Sequence, residues 1–407
     1  MRAARHRAVL GLFVIGAILW AGRTDASQSP VRAPSTPAIW PVGEVLPVTE
    51  AALAGKGMEI AWKTEMLLEP RTALKHVWLR GKFLVGLADD QRVFTVNSAT
   101  GVRLWSREVA AKTEKVWAPC VAGDTVYVAT TTKALGYNMD GRVVVDVPFE
   151  FSPSGRPVTN GVHLFVPDAK GWLEAVSLLP KVVSWGRWTD NAVTSGPVMD
   201  SALIYFAGQD GIVYASTQNV RRVLWQHKTE GPIVADLALT KTGLVLVASS
   251  DYALYAFAGA GGRLAWRYES GEPLTRNPYA VGGQVFLFSK EAGLTAIEAA
   301  NGHKQWTMAD GQDFLSADPM TAYFLSKARS LVAVNRVDGK VEFTLPLLAG
   351  TLYAPNDTEN GLIYLALPGG KTVAAAKQKE QEKTVQPGEL QPPVARESSK
   401  PAPAPGK

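Results

Sequence analysis

A chain of 407 residues, 46% hydrophobic and only 19% charged, carries enough apolar side chains for a large buried core, and its net charge of +5 forms no basic stripe suited to nucleic acid. Four arginines against Asp25 in residues 1–26 account for +3 of that charge, so the remainder is nearly neutral. The single cysteine, Cys120, excludes an internal disulfide, and the five histidines (His6, His76, His163, His227 and His303) lack metal-ligand spacing.

Arg2, Arg5 and Arg7 precede an apolar run over residues 9–21 and small residues around Thr24 and Ala26. This is the form of a secretory signal, with cleavage expected after Ala26. The run is short for a membrane span, although an uncleaved segment would serve as an inner-membrane anchor and as the only membrane contact. A lipoprotein is not expected, because no cysteine stands at the cleavage site. Residues 27–57 carry five prolines and read as an extended linker.

From residue 58 the chain repeats. Trp62, Trp105, Trp185, Trp225, Trp266 and Trp306 follow one another at gaps of 43, 80, 40, 41 and 40 residues, Val145 fills the middle of the long gap, and Phe343 follows after 37. A glycine lies four residues before the aromatic position in Gly101, Gly141, Gly262, Gly302 and Gly339. A small residue lies nine or ten before it: Thr95, Gly136, Ala175, Ala215, Ala256, Ala296 and Ala333. Within a copy the apolar residues alternate with period two between Gly, Asp and Asn turns, which predicts strands. In the fifth copy these cover 243–248, 253–257 and 264–268, with a fourth strand near 232–239. Four strands in about 40 residues is the size of a propeller blade.

The ends set the blade count. Residues 361–367 and 371–375 supply strands without a following aromatic strand, whereas 58–67 supply an aromatic strand with no blade before it. The expectation is an all-β, eight-bladed β-propeller of four-stranded antiparallel blades over 58–376, closed by the N-terminal strand completing the last blade. The repeated tryptophans and Phe343 are read as packing anchors between blades, since Val145 and Phe343 substitute for them. Residues 377–407, ending KPAPAPGK, have the composition of an unfolded tail.

Strings such as LYAFAGAGGRLAW from Leu254, LTAIEAANGHKQW from Leu294 and VFTVNSATGVRLW from Val93 resemble the quinoprotein-type (PQQ-like) β-propeller repeat. That family includes quinoprotein dehydrogenases and the BamB-like scaffold branch. The enzyme branch implies pyrroloquinoline quinone, a carboxylate-rich calcium pocket and usually a vicinal cysteine pair, which one cysteine cannot form. The scaffold branch implies a periplasmic protein without cofactor or metal, without catalytic residues, and with envelope or outer-membrane proteins as partners; a monomer is expected. The resemblance therefore favours an exported non-enzymatic scaffold, with outer-membrane protein assembly as its setting. The alternative is a quinone-dependent dehydrogenase or small-molecule binder using the axial pocket.

Prolines 119, 157, 197, 278, 319 and 355 are read as marking the starts of inner strands, where a missing donor matters least. Arg156, Arg276, Asn277 and Asp318 beside them are the candidates for the channel mouth, either as an anion site or as a salt-bridged rim. Asp89, Asp90, Asp210 and Asp251 read as hairpin-turn residues and His163 as a packed core residue. Residues 148–157 and 308–318 read as the longer loops, and so as favoured partner contacts.

Overall fold

The computed structural model describes residues 45–378 other than 181 and 183. The expected signal, and nearly all of the expected tail, lie outside the described residues. Among the described residues 32 strands form eight four-stranded sheets. Seven sheets take consecutive strands, over 74–108, 120–148, 158–188, 198–228, 238–269, 279–308 and 311–346. The eighth draws three strands from 352–377 and its outermost strand from Met58–Glu65, which pairs antiparallel with Lys371–Lys377. The fold is the eight-bladed propeller expected from the repeat, closed by the first strand on the last blade.

The two repeated signatures meet as cross-strand partners. Thr95 faces Trp105, Gly136 faces Val145, Ala175 faces Trp185, Ala215 faces Trp225, Ala256 faces Trp266, Ala296 faces Trp306 and Ala333 faces Phe343. In the closing blade Ala374 faces Trp62. One strand further inward the same row carries a large residue, such as Tyr205, Phe286, Tyr323 or Tyr364. Directly opposed side chains stand only about 5 Å apart, so a small residue between two large ones gives the outer aromatic room to lie over the sheet. A register shift beside this pair, as at Ala256/Phe257 and Ala296/Ile297, adds the local twist that a bulge produces.

The repeated glycine serves the neighbouring blade. A Cβ on Gly101, Gly141, Gly262, Gly302 or Gly339 would stand 2.6–2.7 Å from Trp62, Trp105, Trp225, Trp266 or Trp306 respectively, each an anchor of the preceding blade. Four of these indoles donate Nε1–H to a carbonyl of the same following blade: Trp62 to Ser98 (2.9 Å), Trp225 to Gly259 (2.7 Å), Trp266 to Ala299 (2.9 Å) and Trp306 to Arg336 (2.8 Å). Where the anchor is not tryptophan the glycine is absent too. Phe343 is followed at the equivalent place by Met58, fully buried in the same apolar cluster. Trp185 is the one tryptophan anchor without the glycine, since Arg221 stands in its place, and its Nε1, like that of Trp105, has no hydrogen-bond partner.

Three local expectations change. The fourth strand of the fifth blade is only Ala238–Leu239, because 232–237 is occupied by the connection that reaches the channel mouth. Pro319 and Pro355 follow their inner strands, Gly311–Ala317 and Leu352–Ala354, whereas Pro119, Pro157, Pro197 and Pro278 precede theirs. Residues Glu50–Ala54, within the stretch read as linker, form one helical turn capped by the Thr49 hydroxyl. Its Leu53 is buried with Val48 in the apolar cluster at the ring closure, and Glu50 pairs with Lys63 of the closing strand at 3.0 Å.

Candidate active or binding site at the axial channel

The innermost strands surround an axial cavity of about 910 Å³. Arg156, Gly196, Asp236 and Asn277 recur at intervals of 40, 40 and 41 residues, and each enters the channel mouth from a successive blade. The Arg156 Nε meets Asp236 Oδ2 at 3.0 Å, across the intervening blade. Gly196 makes this reach feasible. A Cβ there would stand 2.6 Å from Asp236 Oδ1 and 2.9 Å from Arg156 Nε. In its absence the Gly196 N–H donates to Asp236 Oδ1 at 2.6 Å. The Asp236 N–H in turn donates to Asn277 Oδ1 at 2.8 Å, and Arg156 Nη2 donates to the Pro197 carbonyl at 3.3 Å.

Arg276 lies one residue further from the axis, in a separate recess of about 200 Å³. It pairs with Asp313, donates to the Gln312 carbonyl at 2.8 Å and stacks 4.2 Å from the Phe288 ring centroid. Asp313 Oδ2 also accepts from the Tyr353 hydroxyl at 2.7 Å. Burial, reinforced by Asp313, holds the Tyr279 and Tyr353 hydroxyls above the usual phenol range, so neither ionises at neutral pH.

Deeper along the wall, Arg80 donates from Nε to the Pro119 carbonyl and from Nη1 to the Leu79 carbonyl, both at 2.8 Å. Burial, and then the charge of Arg156, push its pKa down to about 10 against the opposing pull of Asp236 and Asp357, and it remains a cation. Burial pushes the neighbouring Cys120 thiol up to about 12 despite Arg156 and Arg80, which leaves it protonated and a poor nucleophile.

The four sequence candidates thus divide. Arg156 and Asn277 meet at the mouth, Arg276 sits beside it, and Asp318 belongs elsewhere. Asp318 occupies the hairpin after its inner strand, at the opposite end from the mouth. Its Oδ1 accepts the Met320 and Thr321 N–H groups at 2.8 Å each, and its Oδ2 accepts from the Tyr323 hydroxyl at 3.0 Å. Asp200 does the same in the fourth blade with Ala202, Leu203 and Tyr205, so Asp318 is turn chemistry repeated. Asp236, Gly196, Asp313 and Arg80 are site residues that the reading of prolines misses. The 40-residue period would have found the first two, since they occupy the place of Arg156 and Asn277 in their own copies. Asp210 and Asp251 accept from Ile212 and Ala253 N–H groups in their hairpins, as expected, and His163 is 2% exposed beside Phe165 and Trp185.

A calcium ion needs six to eight oxygens. The cavity is lined by two carboxylates, Asp236 and Asp357, and both Asp236 oxygens are already engaged. Among the described residues no group of three or more His, Cys, Asp or Glu side chains converges to hold a metal. The residues at the mouth therefore do not fit the calcium-bound quinone that the enzyme branch implies.

A comparison with curated protein sequences returns no match. Among solved structures the chain is similar to BamB from Moraxella catarrhalis, at 13% identity and a TM-score of 0.60, covering 77% of this chain and 99% of that one. It is equally similar to the computationally designed Ika8 protein, at 12% identity and a TM-score of 0.60, covering 76% and 99%. Such distant likenesses show a shared propeller fold. The family profile of the outer membrane protein assembly factor BamB matches residues 51–219 and 209–351, and the chain belongs to that family.

Proposed function

We propose that this protein is an exported, non-enzymatic scaffold of the bacterial cell envelope, acting in the periplasm by binding other proteins, with outer-membrane protein assembly as its setting. The observation that carries this reading is the channel mouth. Arg156, Gly196, Asp236 and Asn277 satisfy one another, as do Arg276, Asp313 and Tyr353, so the polar groups lock blades together instead of converging on an empty centre. A ring braced in this way holds its peripheral loops at fixed separations, which suits a docking platform. Residues 149–157 form such a loop between the second and third blades, with Phe149 and Phe151 rings 4.7 Å apart at its start. The segment 308–318, expected as a second such loop, is instead mostly the buried strand Gly311–Ala317 and offers no contact loop.

The size of the axial cavity favours the second reading, a small-molecule binder, since ligand pockets commonly enclose roughly 300–1,000 Å³. One pair of measurements separates the two. Crosslinking in cells from residues 149–152, followed by mass spectrometry, should recover an envelope protein. Titration with pyrroloquinoline quinone and Ca²⁺ should leave the quinone absorbance unchanged. Stoichiometric quinone binding without a crosslinked partner would overturn the scaffold reading.

A further inference from the structure

On the third blade, the side turned toward the second blade begins as ordinary core. Leu164, Val166, Val176 and Leu178 are buried there with residues of the second blade. Side chains two apart on a strand share a face, so Asp168, which follows Val166, and Trp172 and Glu174, which precede Val176, lie on the same side. In the outermost strand, Trp185–Trp188, Trp188 pairs with Trp172 and Gly186 with Glu174. Two indoles and two carboxylates therefore gather where the other residues of that face are aliphatic.

Trp172 and Trp188 stand edge to face, with ring centroids 5.3 Å apart and planes at 71°, and Trp188 is 47% exposed. A Cβ on Gly186 would lie 2.6 Å from Glu174 Oε2 and 2.9 Å from Trp172 Cε3, so carboxylate and indole lean together over the glycine, toward the outer edge of the blade. Asp168, inward of them, is 1% exposed, and its Oδ1 has no hydrogen-bond partner. A buried carboxylate oxygen without a donor is unfavourable. Burial, and then the charge of Asp168, hold the Glu174 carboxyl above its usual range against the pull of Arg221. Arg221, from the fourth blade, seats its guanidinium 5.4 Å over the Trp172 ring, yet among the described residues it closes no ion pair with either carboxylate.

We propose that this cluster seats an arginine of a protein partner, its guanidinium against the exposed Trp188 and paired with Glu174. The inference rests on the scaffold reading and names the chemistry of the partner that docks beside residues 149–157. That loop borders the site: the Ala169 N–H donates to the Ser152 carbonyl at 3.1 Å, and the Ser154 N–H to the Pro167 carbonyl at 2.9 Å. An indole face attracts a cation, and a guanidinium, planar and weakly hydrated, stacks on it while keeping its N–H fork for a carboxylate. Arg221 displays that preference within the chain itself. The unpartnered charge of Asp168, acting through the short distance to Glu174, favours a second cation beside it.

Fluorine NMR of the purified protein labelled with 5-fluorotryptophan tests the seat, the two resonances being assigned through Trp172→Phe and Trp188→Phe. N-acetyl-arginine amide should shift both and saturate, with a dissociation constant on the order of 1–10 mM for so small a probe, while N-acetyl-glutamine amide shifts neither. Glu174→Gln should weaken arginine binding by about fivefold or more, and Arg221→Ala, which vacates the place over Trp172, should tighten it by a similar factor. The melting temperature of each variant checks that the blade is intact. Unmoved resonances overturn the proposal, as does binding indifferent to Glu174→Gln or a lysine amide that binds as well as arginine. An envelope protein crosslinked from residues 149–152 alongside unmoved resonances sinks this inference and leaves the scaffold reading standing. Saturable, Glu174-dependent arginine binding with no crosslinked partner supports the seat and counts against the scaffold.

Discussion

Replacing Gly302 with alanine isolates the contact on which the ring is built. Gly302 has φ +78°, and a Cβ there would lie 2.7 Å from Trp266 Cε3. Gly243 has nearly the same backbone, φ +81°, yet nothing lies within 4 Å of its Cβ position. Both substitutions place alanine in the left-handed region, at a cost of about 1 kcal/mol. Only Gly302→Ala also drives a methyl into a packed indole, which costs about 1–3 kcal/mol more and loosens the Trp266 Nε1 to Ala299 hydrogen bond. The expected losses are about 1 kcal/mol for Gly243→Ala and about 2–4 kcal/mol for Gly302→Ala. Urea unfolding followed by tryptophan fluorescence measures both. Adding Trp266→Leu should make the Gly302→Ala change cheaper by about 1 kcal/mol or more, since the obstructed ring is gone. Equal losses at the two glycines, or strict additivity with Trp266→Leu, would refute the idea that glycine and indole form one inter-blade unit.

Removing residues 58–66 deletes the strand that closes the ring and, with it, Trp62 and the fully buried Met58 and Met66. Unfolding should occur well below the normal melting temperature, and an unchanged melting curve would contradict closure through this strand. Arg336, 5% exposed, joins blades six to eight through Gln284 (2.8 Å), Glu359 (2.6 Å) and the Val281, Gly282 and Asp318 carbonyls. Arg336→Met should cost about 3 kcal/mol in denaturant titration, because it leaves Glu359 and Gln284 without their common donor. Burial acts to raise the Asp318 carboxyl, but the Met320 and Thr321 N–H groups, then Lys377 and Tyr323, outweigh it and hold the pKa below the usual value. Its stabilisation is therefore complete above the unfolded carboxyl pKa of about 4 and is lost as pH falls through the lower folded value. The melting-temperature gap between wild type and Asp318→Asn should be widest at neutral pH and close on acidification.

Part of the site was open to reading from residues alone. Arg156 and Asn277 were found beside prolines that do begin inner strands, but the same rule selected Asp318, whose proline lies past the strand end. Proline reports a place that needs no N–H donor, and a hairpin satisfies that condition as well as a strand start does. Asp313 stands 30 residues before its anchor Phe343, as Asp236 does before Trp266, whereas Arg80 has no arginine at the matching place of another copy. Asp313 is recruited by a sidechain from the sixth blade, and Arg80 stands where other blades keep a turn residue.

Read alone, the chain specifies the architecture. The 40-residue period, the alternating apolar residues and the surplus aromatic strand at residue 62 demand eight wedges and a closed ring, because a blade's apolar faces can be buried only by other blades. Linear order does not reveal which residues meet across a wedge boundary. The glycine four residues before one anchor supports the indole of the blade before it, and Arg156 finds Asp236 two blades away over a residue without a side chain. Those pairings arise from the angle at which the blades stack, and only the assembled ring sets that angle.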